Sequence, residues 1–354
     1  MRQRSAHIVQ RMAPGGLEVL TLELARQLPG EHLVISLEGE AEALKAAWPR
    51  LECLGGRLFG MGKKPGLDPG LPFRLARLLR RQGVTSLFTH HAGPLLYGGL
   101  AARLAGIDRI VHVEHDVWHY RSAKRRRLMQ AMAALAHPRI VGVAEKMRAP
   151  LRALFPRANV QIIANGVDLA RFSSDRAMAR ARLSLPQGAL VIGSVGRLEW
   201  VKGHDVLIDA LARLESPPLL LLAGDGARRA DLEAQAARLG LADRVRFLGH
   251  CDDVAAIFPA LDLYVQPSRD EGLPLAVLEA QACGVPTIAS DVGDLRAAIC
   301  PKGGRLAPPE NVAALAAELR GALDDKNRAS PRAFIAAHFD WRRTLDLYAA
   351  LAKA

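Results

Sequence analysis

Short apolar runs alternate along the whole chain with stretches whose apolar residues recur at helical spacing. In the first half, His7–Gln10, His32–Leu37, Ser86–His90 and Arg109–His115 read as strands. The loop 11–15 leads from the first of them into a helix from about Gly16 to Leu28. The spacing predicts an amphipathic helix over 71–82, with Leu71, Leu75, Leu78 and Leu79 on one side and Arg74, Arg77 and Arg81 on the other. The second half starts the pattern afresh. Leu190–Ser194 reads as a strand, a Gly-rich turn and a helix to about Leu214 follow, and Leu219–Ala223, Arg244–Leu248, Leu261–Val265 and Val285–Ala289 read as the next strands. This alternation is the mark of βαβ units around a parallel sheet. Because it runs twice, with a turn-rich joint at Ala164-Asn165-Gly166-Val167-Asp168, the prediction is an α/β chain of two Rossmann-like lobes, their parallel sheets facing across a cleft. Ligands of such open sheets bind beyond the C-terminal ends of the strands, so chemistry is to be sought in the loops there.

A length of 354 residues suits two domains, since single cores rarely extend past roughly 250. With 50% hydrophobic and 24% charged residues, the composition excludes disorder and collagen-like repetition. No apolar run reaches the ~18 residues expected of a membrane span, and no export signal is expected at the N-terminus. Cys53, Cys251, Cys283 and Cys300 show no CxxC spacing, which fits reduced thiols of a cytoplasmic protein better than a disulfide frame or zinc site. Charge is unevenly placed. Residues 1–164 carry 25 Lys and Arg against 12 Asp and Glu, whereas residues 165–354 carry 23 against 24, so the net +12 comes from the first half. A basic half points to an anionic partner: nucleic acid, anionic lipid or a phosphorylated substrate.

Two loops of the second half carry the strongest chemistry. Ser268-Arg269-Asp270-Glu271-Gly272-Leu273-Pro274-Leu275-Ala276-Val277-Leu278-Glu279 follows a predicted strand and opens a helix near Pro274. The free N–H groups of Leu275 and Ala276, with the helix dipole, suit a phosphate. Glu271 lies ahead of the helix and Glu279 one turn past Leu275, so two carboxylates bracket that site and suit hydroxyl-rich groups. Glu279 sits on a helix apolar nearly all round, where a lone carboxylate is costly without a partner. Gly196-Arg197-Leu198-Glu199-Trp200-Val201-Lys202-Gly203 follows the first strand of this half and supplies two cations over a candidate anion. The alternatives are solvated carboxylates and a surface turn with solvated cations.

The Glu-x7-Glu spacing from Glu271 to Glu279, preceded by Gly196-Arg197 and Lys202-Gly203, makes the chain resemble the retaining glycosyltransferases of family four, the group 1 glycosyl transferases, which have the GT-B fold. Ala13-Pro14-Gly15-Gly16-Leu17-Glu18, Asn165-Gly166-Val167-Asp168 and Gly224-Asp225-Gly226 extend the resemblance over nearly the whole chain. It is more specific in the second half than in the first. The resemblance implies an acceptor-binding domain over 1–165, a nucleotide-sugar domain over 166–339, and a last helix at about 340–354 returning to the first. It implies that Arg197 and Lys202 hold and stabilise the departing diphosphate, that Glu279 binds the ribose and Glu271 the transferred sugar, and that Gly272, Leu273, Leu275 and Ala276 complete the pocket. Gly196 turns the cation loop, and Gly224, Gly226 and His250 would border the base. A histidine near the donor sugar carries over to His115, with His90, His91, His112 and His119 as competing candidates. Gly15 and Gly16 would let a phosphate or sugar approach the first helix start, and Glu18 would support that helix.

The implied activity is transfer of a hexose or N-acetylhexosamine from a UDP- or GDP-sugar to a hydroxyl of a lipid-linked, lipopolysaccharide or polysaccharide acceptor, with no cofactor and no protein-bound metal. The basic segments Lys63-Lys64, Arg74/Arg77/Arg80/Arg81 and Arg121 with Lys124-Arg125-Arg126-Arg127 suggest a peripheral position on the inner, anionic face of the cell membrane, each charge adding roughly 1 kcal/mol. The rival readings are a GT-B nucleotide-sugar 2-epimerase and a non-catalytic sugar or nucleic-acid binder. Glu-x7-Glu argues against the first. The lack of a helix-turn-helix or an aromatic RNA-binding strand argues against nucleic acid as a partner.

Overall fold

The computed structural model describes residues 4–117, 120, 122–172, 175–325 and 329–353, and divides into two units. The first holds the chain up to Asn165 together with the segment from Arg342. Its strands are β1 (Arg4–Val9), β2 (Glu31–Ser36), β3 (Leu58–Gly60), β4 (Ser86–His90), β5 (Arg109–Glu114), β6 (Arg139–Gly142) and β7 (Val160–Ile162). They form one sheet in the order β3-β2-β1-β4-β5-β6-β7, all neighbours parallel. Ala6, Ile8, Leu33, Ile35 and Leu87 pack against the helices Leu71–Arg81 and Ala92–Ala105 on one face. Val9, Val34, Leu22 and Trp48 build the core of the other. The helix Leu71–Arg81 buries Leu71, Leu75 and Leu79 and exposes Arg77, Arg80 and Arg81, as its spacing predicts.

The second unit, Gly166–Trp341, contains β8 (Val191–Val195), β9 (Leu219–Ala223), β10 (Val245–Gly249), β11 (Leu263–Gln266), β12 (Thr287–Ser290) and β13 (Gly304–Ala307). Their order is β10-β9-β8-β11-β12-β13, again parallel throughout. Leu207, Leu211, Leu220, Leu222, Val265, Leu315 and Leu319 are central to its core. In each sheet the winding reverses once, between β1 and β4 and between β8 and β11. These are the topological switch points where open α/β sheets bind ligands.

The chain adds four strands that its hydrophobic pattern does not announce: β3, β6, β7 and β13. Each has three or four residues, too few for alternation to register. The predicted strand over 261–265 also begins two residues late, because Leu261 packs on Gly193 and Asp262 uses its N–H to bond Val191 O at 2.8 Å. The final helix, Trp341–Lys353, returns to the first unit. There the buried Tyr348 ring lies 6.3 Å from that of Phe88, and Thr344 Oγ1 donates to Ala164 O at 3.1 Å.

Within the second unit, Arg332 ties three stretches of backbone together. Its guanidinium donates to Phe172 O at 2.6 Å, to Leu169 O at 2.9 Å and to Ala282 O. Removing it leaves three carbonyls to find new donors, each costing on the order of 1 kcal/mol or more. Arg332→Ala is expected to lower stability by about 2–4 kcal/mol in urea unfolding, with Arg332→Lys recovering only part; equal stability of Arg332→Ala and wild type would contradict this.

Candidate functional site

At the switch point of the second sheet, the loops after β8 and β11 meet. Lys202 Nζ lies 2.6 Å from Glu271 Oε1, and the two side chains are 19% and 9% exposed. The same oxygen accepts from Ser268 Oγ at 2.7 Å and Gln266 Nε2 at 3.0 Å. Gln266 in turn takes a hydrogen bond from the buried Tyr264 hydroxyl, which also lies 3.3 Å from Val195 O. A buried polar chain thus runs from the strands to the Lys202–Glu271 pair. Burial, then the charges of Glu271 and Glu279, push the Tyr264 phenol well up, so it stays a donor.

Arg269 holds the two loops in register. It grips Asp205 through two nitrogens at 2.9 Å each, Glu310 at 2.9 Å and Trp200 O at 2.6 Å, and its guanidinium lies 4.6 Å from the centre of the Trp200 ring. Its own N–H donates to Val201 O at 2.8 Å. Neither Asp205 nor the role of Arg269 is readable from sequence spacing, because their partners are 64 and 41 residues apart. Next to this clamp, His204 is buried and pushed down to about 4, by burial first and Lys202 second, so its ring is neutral. Arg197, in contrast, is exposed and forms no ion pair among the described residues.

The loop after β9 is stitched to the loop after β8. Gly196 N donates to Ala223 O and Leu198 N to Asp225 O, both at 2.9 Å. A Cβ on Gly224 would stand 2.0 Å from Gly196 O, at φ +137°, so only glycine allows this approach. Gly226 lies in the same stitched turn, and Gly224 N continues to Gly249 O at 2.8 Å. His250, just beyond, is exposed and pairs with Asp252 at 3.0 Å.

Pro274 caps the helix Leu275–Ala282, which starts without a side-chain cap, at the half-buried Leu275 and Ala276. Leu273 is buried below, and Gly272 O accepts from Asp294 N at 3.1 Å. Glu271 O faces Gly293, where a Cβ would stand 2.0 Å away at φ +55°. Glu279 is 8% exposed. Burial and the nearby Glu279 push the Cys283 thiol up to about 12. Gln281 fixes the helix from its buried side: it donates to Ala298 O and accepts from Cys300 N, both at 2.8 Å.

In the first unit, Gly15 precedes the helix Gly16–Gln27, which has no side-chain cap but carries Glu18 in its first turn. His115, half-buried, follows β5, and His90 ends β4 fully buried. Their nitrogens Nε2 and Nδ1 are 3.2 Å apart. Glu114 is buried as an anion: although burial opposes it, His112 at 2.7 Å and His91 at 3.2 Å hold its carboxyl far below the usual range. Burial likewise works against the His91 cation, but Glu114 and Asp116 outweigh it and raise its pKa. His91 keeps a left-handed backbone, φ 68°, an unfavourable state for a side-chain-bearing residue. His119 and Arg121 lie outside the described residues. Among the basic segments, Lys63 is not a surface charge: it is buried, with Nζ donating to Lys64 O at 3.0 Å and lying 5.8 Å from the centre of the Tyr97 ring. Lys64, Arg77, Arg81, Lys124, Arg125 and Arg127 are exposed.

Residues 14–171 match the model of Glycosyltransferase Family 4, and residues 175–338 that of Glycosyl transferases group 1. A D-inositol 3-phosphate glycosyltransferase from Salinispora tropica is 32% identical over 393 aligned positions, covering 94% of this chain and 80% of the relative. The crystal structure of Anabaena Alr3699/HepE in complex with UDP and glucose superposes with a TM-score of 0.87 at 22% identity, over 99% of this chain and all of that one. The sucrose-phosphate synthase of Thermosynechococcus elongatus gives 0.82 at 24%, over 99% and 98%. At these identities the structural likenesses establish the fold.

The Arg269 clamp makes a pH prediction. Burial raises the Asp205 pKa, but the Arg269 hydrogen bonds and charge exceed it and leave the carboxyl below its usual value. The pair's stabilisation is therefore complete above ~3.9, the ordinary aspartate value, and lost as pH falls through the lower folded value. Asp205→Asn is expected to cost about 1–3 kcal/mol at neutral pH and to flatten the acid limb of a stability–pH profile. An acid limb of wild-type steepness would refute it.

Proposed function

The chain belongs to the group 1 and family 4 glycosyltransferases, and on that premise we propose that it moves a hexose or N-acetylhexosamine, with retention, from a UDP- or GDP-sugar to a hydroxyl of a lipid-linked or polysaccharide acceptor. The observation that carries this reading is the Lys202–Glu271 pair at the β8/β11 switch point, with the unpaired Arg197 beside it in sequence and the buried Glu279 one helix turn beyond Leu275. A diphosphate fits two cations and an uncapped helix start. Glu271, whose Oε1 accepts from Lys202, Gln266 and Ser268, and the buried Glu279 fit the hydroxyls of a sugar and a ribose as acceptors.

In the proposed reaction the bond between the sugar's anomeric carbon and the diphosphate oxygen breaks while the acceptor oxygen attacks from the same face. The acceptor proton passes to the departing diphosphate. Arg197 and Lys202 stabilise the charge that develops on that leaving group, which is electrostatic catalysis in a site prearranged for it. Glu271 orients the sugar and Glu279 the ribose, and His115 is proposed as the site histidine of the first unit. Gly15 and Gly16 leave room at a second helix start. No protein-bound metal is required, since the cations of the chain serve the diphosphate.

The acceptor reading rests on the first unit's charge. Exposed Lys64, Arg77 and Arg81 accompany exposed Leu67 and Phe73, a combination suited to an anionic bilayer surface. Among the described residues no helix is long and apolar enough to cross a membrane. Peripheral association with the cytoplasmic leaflet is therefore the proposed location.

A thermal-shift panel of UDP, GDP, ADP and their sugar conjugates tests the donor site. One base at a hundredfold excess over its dissociation constant should add about 2.7 kcal/mol of stability, with or without EDTA. Glu279→Ala is expected to weaken that nucleotide by about 10- to 100-fold. Lys202→Ala should slow transfer by about 10²–10³-fold through the leaving group. Wild-type binding and turnover in both variants would sink the assignment.

A further inference from the structure

Four imidazoles form a row across the first sheet: His32 on β2, His7 on β1, His90 at the end of β4 and His115 after β5. Successive rings are within hydrogen-bonding distance. His32 Nδ1 and His7 Nε2 are 3.1 Å apart, His7 Nδ1 and His90 Nε2 3.4 Å, and His90 Nδ1 and His115 Nε2 3.2 Å. The far end is anchored by His32 Nε2, 3.2 Å from Pro29 O. His7 lies flat on Phe88, with centroids 4.6 Å apart and planes 10° from parallel, which fixes the ring in the middle of the row. Among the described residues no group of three or more His, Cys, Asp or Glu side chains is arranged to hold a metal ion, so the row calls for another explanation.

The direction of the row follows from its anchor. A carbonyl oxygen only accepts, so His32 Nε2 must carry the hydrogen. A neutral imidazole has one N–H and one lone pair, which makes His32 Nδ1 an acceptor and His7 Nε2 its donor. The same step repeated through His7 and His90 gives His115 an Nε2–H and leaves the lone pair on its Nδ1. We propose that this row is a tautomer relay, in which Pro29 O, through the positioning residues His32, His7 and His90, fixes His115 as the Nε2–H form and presents Nδ1 as a hydrogen-bond acceptor to a substrate hydroxyl. The proposal rests on the reading of His115 as a site residue under the proposed function.

Burial favours neutral rings throughout. It lowers His7, with His32 adding to the effect, and lowers His32 despite the Pro29 bond. It lowers His90 and His115 as well. His90 is lowered further by His7, His112 and His91, and His115 by His91, His90 and His112, while Glu114 opposes in both cases. His91, whose pKa Glu114 raises, is 5.3 Å from the His115 ring edge-on. A protonated His115 would have no lone pair to offer.

Imidazole 15N spectra of the full chain labelled at histidine test this without substrate. His115, identified by its loss in His115→Asn, is expected to show a protonated Nε2 and an unprotonated Nδ1. Neither should titrate between about pH 6 and 8, where a free imidazole of pKa ~6.5 would. His32→Phe removes the anchor far from the site and should convert His115 to a mixture of tautomers. His32→Asn, whose Oδ1 can accept from His7, should restore the single form. A protonated Nδ1 in wild type, a titrating His115, or an unchanged tautomer in folded His32→Phe would overturn the relay. UDP titration of the same sample separates the two ideas: the expected tautomer without nucleotide binding would leave the relay standing and remove the donor-site reading.

Discussion

Parallel pairing throughout both sheets constrains everything else in this protein. It sends each strand-to-helix loop to one edge of its sheet, so residues far apart in sequence have only that edge on which to meet. Where the winding reverses, neighbouring loops diverge and leave a gap. Gly196–Gly203 follows β8, and Ser268–Glu271 follows β11 on the other side of that gap. The fold brings the loops to the same place, but it does not set their spacing to a tenth of a nanometre. Arg269 does that, by anchoring its own loop to Asp205, Glu310 and the Trp200 carbonyl at once. Lys202 lies within the loop so held, and its 2.6 Å contact with Glu271 follows.

Buried charge is handled differently in the two units. In the second, Glu271 is matched by a lysine and by two neutral donors, Ser268 and Gln266. In the first, Glu114 accepts from the imidazoles of His91 and His112 and from the Tyr120 hydroxyl. Imidazoles have a consequence that a lysine lacks. Each ring has two nitrogens with opposite duties when neutral, so a bond made at one sets what the other can do. A carboxylate beside them raises the pKa of His91, while the rings behind His115 remain neutral through burial. Two histidines adjacent in space thereby have their pKa values moved in opposite directions.

The two loops of the second-unit candidate site are legible in sequence because their residues fall in two contiguous segments, each following an apolar run. The glycines and the paired glutamates keep fixed offsets there, and the structure places both segments at one switch point. The clamp was not legible: Asp205 reads as an ordinary first-turn helix acid and Glu310 as a loop acid until the sheet order is known. The imidazole row was hidden for a related reason. His7, His32, His90 and His115 each occupy one position in a different βα unit, and only register makes them neighbours. Lys63 was misread as surface charge because its doublet with Lys64 resembles a basic run, whereas alternate burial puts one side chain beneath Tyr97 and the other in water. Strands β3, β6, β7 and β13 were missed because each is too short to show a period, their place in the sheet being secured by neighbours instead.

On the proposed reading, the Lys202–Glu271 pair has to be divided for the donor to bind. A diphosphate would compete for the lysine and a sugar hydroxyl for the glutamate, so one ligand would replace both halves of a nearly buried ion pair. Substituting either half alone would leave the other charge poorly satisfied, a situation more costly than the pair itself is stabilising. A free nucleotide offers only the diphosphate and would strand Glu271 with Ser268 and Gln266 as its remaining donors. The complete donor offers a hydroxyl as well. Any preference for an intact nucleotide-sugar over its nucleotide product would then follow from one shared ion pair rather than from added contact area, and release of the product would be helped by Lys202 returning to Glu271.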